Sequence, residues 1–200
     1  MTTLIRGGLV IGPVSAQPLD VLIDGERIVA LLAPGDTSLG ADLASSVDEV
    51  IDATGKYVVP GGVDAHTHME LPFGGTFASD TFETGTRAAA FGGTTTIIDF
   101  AVQSKGRSLR EGLDTWMAKA EGNAVADYAF HMIMSDVNDD TLKEMDTLVA
   151  EGVPDFKLFT AYPGVFFSDD GAIFRAMQQT AKNGGLIMIH AENGLAIDIV

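Results

Sequence analysis

The chain has no cysteine, one tryptophan and seven prolines in 200 residues. Without thiols it can form no disulfide, no thiolate metal site and no cysteine nucleophile, so any metal must be held by nitrogen and oxygen from His, Asp, Glu or a modified Lys. Basic residues are scarce: 12 Lys and Arg against 28 Asp and Glu give a formal net charge of -16. Nucleic acid and anionic membrane surfaces both need a basic face, so neither is an expected partner. No apolar run approaches the roughly 18 residues that cross a bilayer, and the start Met1-Thr2-Thr3-Leu4-Ile5-Arg6 lacks the charged opening and long apolar middle of a signal peptide. The cytoplasm is the expected location.

What is present is enough apolar material, 46% of residues, to bury a real core. Residues 1–59 read as short β segments, Leu4-Ile5-Arg6, Leu9-Val10-Ile11, Asp20-Val21-Leu22-Ile23 and Arg27 to Leu32, punctuated by Asp24-Gly25 and Pro34-Gly35-Asp36. They look like part of a small β-sandwich. From Val58 to Val200 the texture changes to five strands alternating with four helices. Asp80 and Glu83, and again Ser108 and Glu111, stand at capping-box spacing, and Gly92-Gly93, Gly122, Gly152 and Gly184-Gly185 punctuate the helix ends. Strict β/α alternation with short connections predicts a parallel sheet, either doubly wound or the first part of a (β/α)₈ TIM barrel. Neither a GxGxxG nor a GxxxxGK[ST] phosphate loop is present, which lowers the nucleotide-binding reading.

In such folds chemistry collects where strands give way to the following loops. The first strand of the alternating region ends Asp64-Ala65-His66-Thr67-His68, and a two-residue spacing on a strand points both imidazoles to one face. That is half of a divalent-metal site, against the alternative that two of the four histidines fall together by chance. Lys157 lies in an apolar strand between Phe156 and Leu158. Either its stem packs while the ammonium snorkels out, or desolvation leaves a neutral amine able to add carbon dioxide; the resulting carbamate has the two oxygens that bridge a metal pair. His190 ends the fifth strand and taken alone is more often a packed histidine than a ligand. His131, mid-strand between apolar neighbours, reads as a hydrogen-bonded core residue and at most a supporting partner of a metal site. Tyr162, in the loop Thr160-Ala161-Tyr162-Pro163-Gly164, could hydrogen-bond an oxyanion or equally be a packed turn residue.

These residues together resemble the cyclic amidohydrolases of the amidohydrolase superfamily, most closely the dihydropyrimidinase and D-hydantoinase group. The resemblance runs along the whole chain. It is carried by Ile51-Asp52-Ala53-Thr54-Gly55-Lys56-Tyr57-Val58-Val59-Pro60-Gly61, the pair His66 and His68, Leu71-Pro72-Phe73-Gly74-Gly75-Thr76, Gly92-Gly93-Thr94-Thr95, Phe156-Lys157-Leu158-Phe159 and His190-Ala191-Glu192-Asn193-Gly194. It implies a TIM barrel with a β-sandwich built from both chain ends, and two zinc ions held by His66, His68, His190 and a carboxylated Lys157. Tyr162 matches the tyrosine that steadies the oxyanion, and Leu71, Phe159 and Phe166 match residues shaping the pocket around the ring's exocyclic substituent. A histidine of strand six and an aspartate of strand eight would complete the site beyond Val200, so the chain is expected to be the N-terminal portion of a longer enzyme, a homotetramer by the same resemblance.

The implied reaction is hydrolytic opening of a cyclic imide, a 5,6-dihydropyrimidine or a 5-substituted hydantoin, to an N-carbamoyl amino acid. Allantoinase and dihydroorotase share the metal site. Dihydroorotases usually place an arginine two residues after the histidine pair to hold a substrate carboxylate; here Glu70 stands there and would repel it, favouring an uncharged ring. A non-catalytic scaffold that has lost its ligands is the alternative of another class, disfavoured by the four retained positions. A metal-free sugar-phosphate barrel enzyme would need a late phosphate-binding glycine loop.

Overall fold

The computed structural model describes residues 1–39 and 43–199. It divides into two compact units, Met1–Pro60 and Gly61–Val200. In the first, strands β1 (Thr2–Ile11), β2 (Ala16–Asp24) and β3 (Arg27–Leu32) form an antiparallel meander. A short helix α1 (Leu43–Ser46) precedes β4 (Glu49–Asp52) and β5 (Tyr57–Val58), both of which run parallel to β1. The two segments read around Leu4 and Leu9 are therefore one strand, with an irregularity between Ile5 and Gly8. Gly7 takes φ +77 there, a left-handed conformation that costs a glycine little, and its N–H donates to Asp20 Oδ1 at 2.8 Å. Val58 pairs with β1, so it belongs to this sheet and does not open the alternating region.

The second unit is built on a five-stranded, all-parallel sheet of order β12-β11-β10-β9-β6. Its elements run β6 (Gly62–Thr67), a small hairpin of β7 (Pro72–Phe73) and β8 (Thr76–Phe77), α2 (Phe82–Phe91), β9 (Thr94–Val102), α3 (Leu109–Ala120), β10 (Asp127–Ile133), α4 (Asp139–Ala150), β11 (Asp155–Phe159), α5 (Asp170–Asn183), β12 (Leu186–His190) and the short α6 (Gly194–Ile197). The sheet and its helices confirm the alternating β/α reading. The hairpin, formed around Gly74-Gly75, lies where no strand was expected.

Helix starts are set by local oxygen acceptors. At α2 the cap is Thr81: its side chain accepts from Thr84 N, and Thr84 Oγ1 accepts from Thr81 N at 3.0 Å. The box expected at Asp80 and Glu83 is thus shifted by one residue, because Thr81 is the residue that holds the extended backbone a cap requires. Ser108 caps α3 as expected, but the Glu111 carboxylate that would complete the box is taken by Arg107 at 2.8 Å. Asn138 caps α4, and Asp169 caps α5, which ends on left-handed Gly184.

Side-chain alternation along the strands separates two apolar layers. Ile97, Ala101, Phe130, Met132, Phe156 and Leu158 face the helices and pack with Phe82, Trp116, Met145 and Leu148. Phe100, Ile133, Phe159 and Phe166 form a smaller cluster on the other face. Among the described residues no helix is long and apolar enough to cross a membrane.

Candidate metal and substrate site

The residues singled out in the sequence lie on that second face. His66, His68, Leu71, Phe73, Ile133, Lys157, Phe159, Tyr162, Phe166 and His190 line one cavity of about 370 Å³, a volume suited to a small molecule. It lies at the carboxyl ends of the parallel strands. A larger open depression beside Thr95 and Ala124 to Tyr128 lies at the opposite strand ends and carries only Asp127 and Tyr128 as ionisable groups.

The His66 and His68 rings are 5.1 Å apart, and both lie against Phe100, at 4.7 and 4.9 Å. Lys157 is buried at 6% exposure, its Nζ 3.3 Å from His66 Nε2 and 4.2 Å from the Phe100 ring centre. Burial lowers the Lys157 pKa, and among the described residues no carboxylate pairs with its amine. Burial first, then the Lys157 charge, pushes His68 down to about 4 and His66 down as well. Both imidazoles are therefore neutral near pH 7, the form that ligates metal. His68 Nδ1 is buried without a hydrogen-bond partner. An orphaned imidazole nitrogen beside a second neutral imidazole and a desolvated amine is a donor set that fits a divalent cation.

His190 shares the cavity but not the cluster. Its Nε2 contacts Glu192 Oε2 at 2.6 Å, and its ring lies 5.3 Å from both Phe159 and Tyr162. Among the described residues no three His, Asp or Glu side chains come together as a metal-holding group. The structure thus brings His66, His68 and Lys157 together and leaves His190 at the margin.

Tyr162 takes φ +62, a left-handed conformation unusual for a non-glycine residue. Its carbonyl accepts from Val165, Phe166 and Phe167 N–H groups at 3.1 to 3.2 Å, and this turn turns its ring into the cavity. Phe159 and Phe166 stack at 5.0 Å, and Leu71 lines the opposite side. Phe73, on the unforeseen hairpin, stands 5.3 Å from the Tyr162 ring. Its signal was available: an apolar pair around Gly-Gly is a hairpin pattern. His131 is buried and doubly hydrogen-bonded, as expected.

Glu70 does not face the cavity. Its carboxylate sits at the N-terminus of α2, 3.4 Å from Phe82 N and 4.0 Å from Lys119 Nζ. The repulsion of a substrate carboxylate read from this position is therefore withdrawn, because the left-handed backbone at Glu70 (φ 54) carries the side chain to the helix terminus.

Residues 57–199 match the Amidohydrolase family. The chain is 68% identical over 198 residues to a D-hydantoinase of Streptomyces coelicolor, covering 99% of this chain and 42% of that protein. It is 42% identical over 196 residues to a dihydropyrimidinase of Rattus norvegicus, covering 96% of this chain and 36% of that one. A crystal structure of dihydropyrimidinase from Brevibacillus agri NCHU1002 superposes with a TM-score of 0.91 at 48% identity, over 100% of this chain and 42% of that one. The chain thus spans about two fifths of the length of these relatives. With a parallel β/α sheet, a family match over most of its length and relatives of this kind, the chain belongs to the amidohydrolase family.

Proposed function

We propose that this chain carries part of the active site of a zinc-dependent cyclic amidohydrolase that opens 5,6-dihydropyrimidines or 5-substituted hydantoins to N-carbamoyl amino acids. The observation that supports it most is the 3.3 Å contact of the His66 imidazole with the buried Lys157 amine, with His68 beside it, in a cavity of small-molecule size. The names of the relatives point the same way. The parallel order β6-β9-β10-β11-β12 is read as the first five strands of a (β/α)₈ barrel, and residues 1–59 as one part of a β-sandwich.

His66, His68 and Lys157 would hold the zinc ions, joined by His190 once its imidazole exchanges Glu192 for the metal. Burial lowers the Lys157 pKa and so raises the share of free amine, whose lone pair would add carbon dioxide with release of one proton to give a carbamate able to ligate zinc. Zinc held by these residues would lower the pKa of water and polarise the attacked carbonyl. Tyr162 directs its phenol into the same cavity and donates a hydrogen bond to the oxygen that gains charge. Leu71, Phe73, Phe159 and Phe166 exclude water and contact the ring substituent. A homotetramer in the cytoplasm is part of the same reading.

The test is metal analysis of the full-length protein together with turnover of dihydrouracil and a 5-substituted hydantoin. Stoichiometric zinc and ring opening are expected. A folded protein that binds no zinc and opens neither ring would falsify the proposal.

A further inference from the structure

Strand β6 does not pair regularly where it matters most. Its register against β9 shifts between Asp64 and Thr67, the stretch that contains His66, and resumes with Thr67 opposite Asp99. Irregular pairing of this kind re-aims side chains, and it also removes the ladder bonds that would hold them. Something else must hold the segment.

On the inner side His131 does so, its Nε2–H donating to the Ala65 carbonyl at 3.1 Å. Its Nδ1 lies 3.1 Å from Asp155 Oδ2, and Asp155 precedes Lys157 by two residues on β11. On the outer side, in the layer of Ile97, Ala101 and Trp116, lies the carboxylate of Asp99, with no exposure to solvent. Its Oδ2 accepts from Thr67 Oγ1 at 2.8 Å and from Met69 N at 2.7 Å; its Oδ1 accepts from Phe100 N at 2.8 Å. Burial raises the Asp99 pKa, and these three donors, with the nearby Trp116 indole, oppose the rise.

A fully buried carboxylate is costly unless its bonds are needed. Two of these three bonds go to the residues that bracket His68, Thr67 before it and Met69 after it. Thr67 and Met69 face outward because His66 and His68 face inward, so a group behind the sheet can grip the segment without entering the cavity.

We propose that Asp99 is a positioning residue that fixes the His66–His68 segment from behind, holding the His66 imidazole at Lys157 and the His68 imidazole beside it before any ligand arrives. The inference rests on the metal reading above for its functional consequence, not for its geometry. Asp99 touches neither substrate nor metal. Partners that orient ligands typically change metal affinity 10- to 100-fold when removed.

The experiment uses the full-length protein in three variants, Asp99→Asn, Thr67→Val and Thr67→Ser, with zinc affinity measured by chelator competition on metal-stripped protein and amide exchange measured at Met69. Asp99→Asn is expected to weaken zinc binding about 10- to 100-fold and to speed Met69 exchange, with exchange across β9 and β10 unchanged. Should Asp99→Asn not fold, Thr67→Val removes one donor and leaves the buried carboxylate in place; it is expected to act in the same direction, and Thr67→Ser, which keeps the hydroxyl, to recover the loss. Zinc affinity within twofold of wild type and unchanged Met69 exchange in the folded variants overturn the inference and leave Asp99 a core residue. If the wild-type protein binds no zinc, the functional reading falls. The Met69 exchange difference between wild type and Thr67→Val then decides the positioning role alone.

Discussion

At the scale of single residues, three side chains make separable demands. Lys157 is buried in an apolar strand with no carboxylate partner among the described residues. If the proposed zinc centre is present, Lys157→Ala removes the one lysine lining the cavity among the described residues, and zinc content measured by metal analysis is expected to fall below that of wild type. Tyr162→Phe keeps the ring and its left-handed turn but deletes the phenolic donor. If that donor serves an oxyanion, kcat falls by about 10²- to 10³-fold with KM little changed, as steady-state kinetics on dihydrouracil will show. His131 bonds the Ala65 carbonyl and the Asp155 carboxylate. His131→Phe removes both bonds, each made to a partly exposed acceptor, and is expected to cost about 1 kcal/mol per bond, read as a lower urea midpoint.

At the scale of elements, helix α3 approaches β9 through Gly112. A Cβ there would lie 2.8 Å from the Val102 carbonyl oxygen and 2.8 Å from Met132 Cε. Backbone cannot yield as a side chain does, so Gly112→Ala is expected to cost about 1–3 kcal/mol by denaturant unfolding. Helices α4 and α5 are joined by Asp146, which accepts from Gln179 Nε2 at 2.7 Å and Asn183 Nδ2 at 2.9 Å. These bonds hold its pKa below the ordinary 3.8. A carboxyl depressed in the folded state adds stability above its unfolded pKa and loses it as pH falls through the folded one. The stability difference between wild type and Asp146→Ala is therefore expected to be steady near pH 7 and to vanish on acidification below the usual carboxylate range. A pH series of urea titrations measures it.

At the scale of the whole molecule, the parallel sheet has β12 bonded on one side to β11 and, among the described residues, to no strand on the other. Leu186 and Ile189 on that strand and Phe174 on α5 are exposed at 58%, 38% and 61%. An uncovered edge with apolar side chains is a template for pairing with another chain. The 200-residue chain is expected to self-associate with rising concentration in analytical ultracentrifugation despite a charge of -16.

The order of strands and helices in the second unit was legible because periods of two and of three to four are written within a few consecutive residues. The same local rule put His66 and His68 on one face, and the apolar neighbours of Lys157 announced its burial. What only the tertiary structure decided are the meetings between residues distant in sequence: His66 with Lys157, Asp99 behind Thr67, Phe73 against Tyr162, and Glu70 turned to α2 and away from the cavity. Such meetings depend on strand register and backbone sign, the shift between Asp64 and Thr67 and the positive φ of Glu70 and Tyr162 among them. A one-residue change of register reverses which side chains face each other, and no short stretch of sequence encodes it.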